Sequence, residues 1–126
     1  MTTPFTVDGT LTYADEEGAK AEPHGFSLTG AFTAESKFKY VLVGSASQTV
    51  NFGSILLAKA VLVTVDTDDL AAPVLVQVNA GGTAGQLQVQ PGGGIVYWNP
   101  NPVAGGIASM IIVHTTDCIV RVRILG

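Results

Sequence analysis

His24 and His114 are the only histidines in the 126-residue chain, so any Ser-His-Asp arrangement has to use one of them. Neither stands in a supporting context. His24 follows Pro23 in an acidic stretch, and His114 closes the apolar run Ile111-Ile112-Val113 ahead of Thr115-Thr116-Asp117. No serine lies in a Gly-x-Ser-x-Gly elbow. These contexts favour a strand-end histidine hydrogen-bonded to its own loop. Asp66-Thr67-Asp68-Asp69 places three carboxylates in four residues, as the opening of a calcium loop does. Counted from Asp66, however, the positions that need a glycine and a bidentate acid are Ala71 and Gln77, so the segment reads as a solvated strand end whose cation binding stays open. Two distant histidines and one cysteine, Cys118, make neither a zinc knuckle nor an internal disulfide. Gly81-Gly82 and Gly92-Gly93-Gly94 lack the Lys-Ser/Thr of a phosphate loop, and no helix follows them to hold phosphate. The acids cluster in loops instead of facing each other on two strands, so a paired-carboxylate site has no support. The reading therefore assigns no catalytic residue, no cofactor and no metal, and expects a protein that is not an enzyme.

Tyr97-Trp98-Asn99-Pro100 is the segment richest in contact chemistry. It sets the only tryptophan beside a tyrosine at a strand end. Three uses fit: one ring in the core with its neighbour against a loop, an anchor in a subunit contact, or a platform for a sugar. Candidate interface residues are Phe5, Tyr97, Trp98, Asn99, Pro100, Asn101 and Pro102, with the N-terminal segment, the 14–23 connection and the Asn99–Gly106 loop as contact regions.

The elements that must carry these residues are strands. Phe5, Val7, Leu11 and Tyr13 share one parity, and Phe26, Leu28 and Phe32 another, which is the period of half-buried antiparallel strands. Between them Ala14–Pro23 holds four of the ten acids plus Gly18 and Pro23, a solvated connection. Phe38–Val43 and Gln48–Phe52 flank Gly44-Ser45-Ala46-Ser47 as a hairpin would. Further strands are expected at Leu56–Val65, Val74–Asn79, Gln86–Gln90, Ile95–Trp98, Ile107–Val113 and Cys118–Leu125. Gly81-Gly82, Gly85, Pro91-Gly92-Gly93-Gly94, Asn99-Pro100-Asn101-Pro102 and Gly105-Gly106 fall between these runs, where positive φ or a missing N–H does least harm. The last strand alternates Cys118, Val120, Val122 and Ile124 against Arg121 and Arg123. The expected inward set is Phe5, Phe26, Phe32, Tyr40, Val61, Val63, Val76, Val89, Val120, Val122 and Ile124. This pattern predicts an all-β chain: an antiparallel β-sandwich, jelly-roll-like, of about 8–9 short strands with little or no helix. Residues 1–126 are expected to form one domain, with the first few residues as an extended arm.

Composition narrows the partners. Residues of the AVILMFWYC set make up 47% of the chain, 13% are charged, and the formal net charge is -4. Phosphate neutralisation needs clustered positive charge, so nucleic acid is not an expected partner. The longest apolar runs fall far short of the roughly 20 residues that span a bilayer, so no membrane is expected, and the N-terminus has no secretory pattern. Synthesis in a cytoplasm follows. So few charges leave Thr, Ser, Gln, Asn and Gly to cover the surface, together with other protein.

Val74-Leu75-Val76-Gln77-Val78-Asn79, Gln90-Pro91-Gly92-Gly93-Gly94-Ile95-Val96-Tyr97-Trp98, the Ile107–Thr116 stretch and the closing Val120-Arg121-Val122-Arg123-Ile124-Leu125-Gly126 form a pattern. Over roughly the last fifty residues it resembles the small β-sandwich or jelly-roll virion proteins of tailed bacteriophages, the capsid decoration or cement type. The resemblance implies a homo-oligomer, most often a trimer, bound to the major capsid protein or another virion protein on the capsid surface. A phage tail or adaptor protein shares the architecture, and a carbohydrate-binding module is the alternative of another class.

Overall fold

A computed structural model describes residues 2–11, 24–66, 72–79 and 86–126. Ten strands and no helix occur among them: β1 (Thr3–Leu11), β2 (His24–Phe32), β3 (Glu35–Leu42), β4 (Ala46–Thr49), β5 (Ala60–Val65), β6 (Val74–Val78), β7 (Gln86–Val89), β8 (Gly94–Trp98), β9 (Met110–His114) and β10 (Cys118–Leu125). From β3 onward the pairing is nested. β3 pairs with β10, β4 with β9, β5 with β8 and β6 with β7, all antiparallel. That is one long ribbon folded back on itself, and rolling it brings β10 beside β5 and β9 beside β6. The product is two four-stranded sheets, β3-β10-β5-β8 and β4-β9-β6-β7, packed as an antiparallel jelly-roll sandwich.

Alternation explains which side chains meet between the sheets. Along β10, Cys118, Val120, Val122 and Ile124 are buried while Arg121 and Arg123 are exposed. Val63, Val120 and Ile124 from one sheet face a core shared with Val76, Met110 and Ile112 from the other, each no more than 1% exposed. The Gln90-Pro91-Gly92-Gly93 corner is a type II turn: Pro91 holds its second position, Gly92 takes φ 82° at its third, and Gly93 N donates to Gln90 O at 2.8 Å. Asn79, at φ 54°, ends β6 and clamps the approach to β9: its Oδ1 accepts from Ala108 N at 2.7 Å and its Nδ2 donates to Gly106 O at 2.8 Å.

Several expectations need correcting. The residues around Gly44 do not close a hairpin: β3 and β4 lie in different sheets, so Gly44-Ser45 carries the chain from one layer to the other. A local turn signal is the same for a hairpin and for a crossing, and the nested partners β9 and β10 decide between them. The Leu56–Val65 strand begins only at Ala60, and Ile107–Val113 begins at Met110, because the preceding residues spend their backbone bonds on loop partners such as Ala58 N to Ile107 O, 2.8 Å. Of the expected inward set, Phe5, Phe26 and Phe32 are outside the core. They belong to β1 and β2, which pair only with each other in a separate two-stranded sheet. Phe26 is 43% exposed, and Tyr40 packs half-buried against the core. Tyr13 and the 14–23 connection lie outside the described residues.

Candidate interaction surface

The β1–β2 hairpin pairs with neither sheet of the sandwich. Its nine in-register pairs run from Thr3–Phe32 to Leu11–His24, a ribbon about 30 Å long at about 3.4 Å per residue. The register sorts its side chains by polarity. Phe5, Val7 and Leu11 share a face with Phe32, Leu28 and Phe26, while Thr6, Asp8 and Thr10 share the other with Thr29 and Ser27. Two glycines on the apolar face serve the rings opposite them. Gly9 pairs with Phe26 and Gly30 with Phe5, and in both cases the ring lies where a Cβ would stand. A methyl group at either position would displace the ring. Phe5 and Phe32 rings lie tilted against each other, 6.3 Å between centroids.

The base of the hairpin is fixed by the body. Trp98 Nε1 donates to Thr29 O at 3.0 Å, and Lys59 Nζ donates to Ala31 O at 2.9 Å. Pro100 Cβ lies 3.3 Å from where a Cβ on Gly30 would stand. These donors cap one edge of the hairpin, the outer edge of β2. Of the expected interface residues, the structure therefore brings together Phe5, Trp98 and Pro100 at the hairpin base. Tyr97 has the opposite parity and packs against the core, its hydroxyl accepting from Asn99 Nδ2 at 3.2 Å. Asn101 is exposed and Pro102 half-buried on the following loop.

Between β1 and the outer face of the β3-β10-β5-β8 sheet runs an open groove of about 520 Å³, lined on the body side by Ala60, Leu62, Val96, Leu125, Glu35 and Arg123. Leu62 and Val96 are register partners, 46% and 52% exposed. Sequence reading did not single out this pair. A strand over Leu56–Val65 is legible in the sequence, but only its pairing with β8 shows that two large apolar side chains sit side by side on an outer face.

The same sheet face concentrates positive charge. Lys37, Lys39, Arg121 and Arg123 are four of the six cations, and Arg121 stands opposite Lys39 and Arg123 opposite Lys37. Like charges directly across a ladder are unfavourable, and each arginine has an acid beside it: Asp66 accepts from Arg121 at 3.1 and 3.2 Å, and Glu35 lies 3.7 Å from Arg123. The Arg121 hydrogen bond, aided by the Arg121 and Lys39 charges, holds the Asp66 carboxyl below its ordinary range. The pair is exposed, so its contribution is small and screened. Its sign is definite. A carboxyl whose folded pKa is depressed adds stability above the unfolded value near 3.8 and loses it as pH falls through the folded value. An Asp66→Asn variant is thus expected to be slightly less stable than the parent at pH 7 and equal to it at the acid end of that window, by chemical denaturation at both; a pH-independent gap would contradict this. Asp68 and Asp69 lie outside the described residues.

His114 is a structural latch. It is 3% exposed, and its Nδ1 lies 2.7 Å from Gly44 O and 3.3 Å from Thr116 O, so a proton on that nitrogen is donated to backbone carbonyls. Gly44 N in turn donates to Asp117 Oδ1 at 2.7 Å, which ties the β3–β4 crossing to the β9–β10 turn. Burial, helped by the Asp117 charge, pushes the Cys118 thiol up, away from the reactive thiolate. A crevice of about 200 Å³ between the sheets, lined by Val63, Val76, Ile95, Tyr97, Ile107 and Met110 among others, carries no acid, imidazole or thiol. Among the described residues no three His, Cys, Asp or Glu side chains gather as metal ligands, and no helix is long and apolar enough to cross a membrane. No protein-family model, curated protein or solved structure matches the chain.

Proposed function

We propose that this chain is a non-enzymatic structural protein of a virus particle, of the capsid decoration kind, which binds the assembled head of a tailed bacteriophage against its major capsid protein and against copies of itself. The observation that carries the reading is the β1–β2 hairpin: an amphipathic ribbon anchored to a jelly roll at its base, with Leu11 61% and Phe26 43% exposed towards its tip. A two-stranded hairpin is marginal in water by itself. An apolar face on such a ribbon is stabilised when another surface covers it, and the groove beside it, with Leu62 and Val96, extends the same uncovered patch.

A jelly roll by itself assigns no function, since lectins and cupins share it with capsid proteins. The surface does more. It combines apolar area with a cationic sheet face on a chain of net charge -4, which suits docking against protein that offers both apolar and acidic groups. A protein that binds only the assembled lattice stabilises that state by linkage, and symmetric copies multiply weak contacts. The sugar-platform use of Trp98 has less support, because its indole N–H is spent on Thr29 O and its ring buttresses the hairpin.

Electron microscopy of purified particles that carry the chain tests the reading. Ordered density at symmetric positions on the head is expected. Density confined to the tail or neck would replace the decoration reading with the adaptor one, and absence of the chain from particles would end both.

A further inference from the structure

We propose that β1 pairs edge to edge with β1 of a second copy, antiparallel and two-fold about Val7, so that two hairpins join into one four-stranded sheet. The proposal rests on the assembly reading above and names one of its partners, a second copy of this chain.

Among the described residues the hairpin has one edge held by the body at Thr29 and Ala31 and one edge, that of β1, that pairs with no further strand. The carbonyls of Thr29 and Ala31 accept from Trp98 and Lys59 of the body, so these residues point their backbone groups away from β1. In an antiparallel ladder both members of a pair then point outward. Their partners are Thr6 and Pro4, and Pro4 agrees with this parity, since it has no N–H and suits an outward position on an edge. Hence Thr6, Asp8 and Thr10 present their N–H and C=O groups on the edge of β1 away from β2, and all three residues are exposed. An exposed edge of this kind is a template for another strand.

The sequence of β1 is complementary to itself in one register. A two-fold axis at Val7 sets Thr6 against the partner's Asp8 in a hydrogen-bonded pair, and the partner's Thr6 against Asp8. The partner's Pro4 carbonyl then meets the N–H of Thr10. On the apolar face the row through Gly9 reads Phe26, Gly9, the partner's Phe5, the partner's Gly30, alternating large and small across four strands. The central row reads Leu28, Val7, the partner's Val7, the partner's Leu28. Centring on Asp8 would set two carboxylates face to face, which is unfavourable. Centring on Thr6 would crowd Phe5 against the partner's Val7 and leave Gly9 opposite the partner's Thr3. Of these three centres, charge and volume favour Val7.

The test uses the intact chain, whose one native cysteine is buried. At a non-hydrogen-bonded pair the two Cα atoms stand about 4.5 Å apart, within the range a disulfide spans. Val7→Cys is expected to form a covalent dimer under mild oxidation. Leu11→Cys, equally able to collide in solution but opposite the partner's Thr3, is expected to stay uncrosslinked. Thr6→Pro, which removes an outward N–H and leaves the β1–β2 ladder intact, is expected to return a species of twice 13.0 kDa to 13.0 kDa with unchanged circular dichroism. A trimer in which Val7→Cys does not crosslink would overturn the two-fold pairing and leave the assembly reading standing. A monomer at all concentrations that is nonetheless found on particles would do the same, and equal crosslinking of both cysteine variants would also overturn the pairing.

Discussion

A chain cut after Asp117 is expected to show no cooperative thermal or denaturant transition. β10 is an inner strand: it pairs with β3 along Cys118–Leu125 and with β5 along Val120–Leu125. Removing it leaves two edges without partners and takes four buried side chains, Cys118, Val120, Val122 and Ile124, out of the core. At about 1.5–3 kcal/mol for each large aliphatic side chain, the loss is comparable with the whole stability of a domain, about 5–15 kcal/mol. The strand also closes the fold beyond the ladder. Gly126 O accepts from Thr33 N and Ala34 N at 2.7 and 3.0 Å, and Leu125 O accepts from Lys59 N at 2.7 Å. Loss of the sigmoidal transition and of the strand signal in circular dichroism checks the prediction. A truncated chain that still melts cooperatively would contradict the place given to β10.

The strand inventory was largely legible because period-two alternation is a local property. Cys118–Leu125 was readable residue for residue: apolar and charged positions alternate, and the pleat sends them to opposite faces. The two strands of the hairpin are legible in the same way, but the place of their rings outside the core is not. Phe5, Phe26 and Phe32 alternate as core residues do, and nothing in the spacing says whether the covered face of a strand meets the sandwich or stands apart from it. What separates the cases is non-local, namely that β1 and β2 find only each other while β3 finds β10 some eighty residues on. The glycines held a usable signal. Gly9 and Gly30 sit inside strand patterns, where glycine marks close approach, and here the approaching group is an aromatic ring from the opposite strand. Trp98 was a visible candidate, but its role as a strut under Thr29 needed the register of β8. The Leu62–Val96 pair needed the sheet order, which one sequence does not encode locally.

Starting the chain at Thr33 is expected to leave the sandwich folded and to abolish self-association. The hairpin's ladder is its own, and β3 through β10 pair without it. The body gives up the two hydrogen bonds to Thr29 and Ala31 and the contacts of Trp98 and Pro100, each bond worth about 0.5–1.5 kcal/mol. Thr33, Ala34 and their bonds to Gly126 stay. The shortened chain should therefore melt cooperatively at a modestly lower temperature. A shortened chain that no longer folds would mean that the hairpin is part of the core, contrary to the half-exposed faces of Phe5, Phe26 and Leu28.

The central claim is that the hairpin exists to be covered by another molecule. Light-scattering mass of the intact chain, set beside that of the chain starting at Thr33 at the same concentration, tests it most directly. The account predicts a mass above 13.0 kDa for the intact chain and a monomer for the shortened one. Equal monomeric masses, with the amides of β1 and β2 as protected from hydrogen exchange as those of the sandwich, would contradict it.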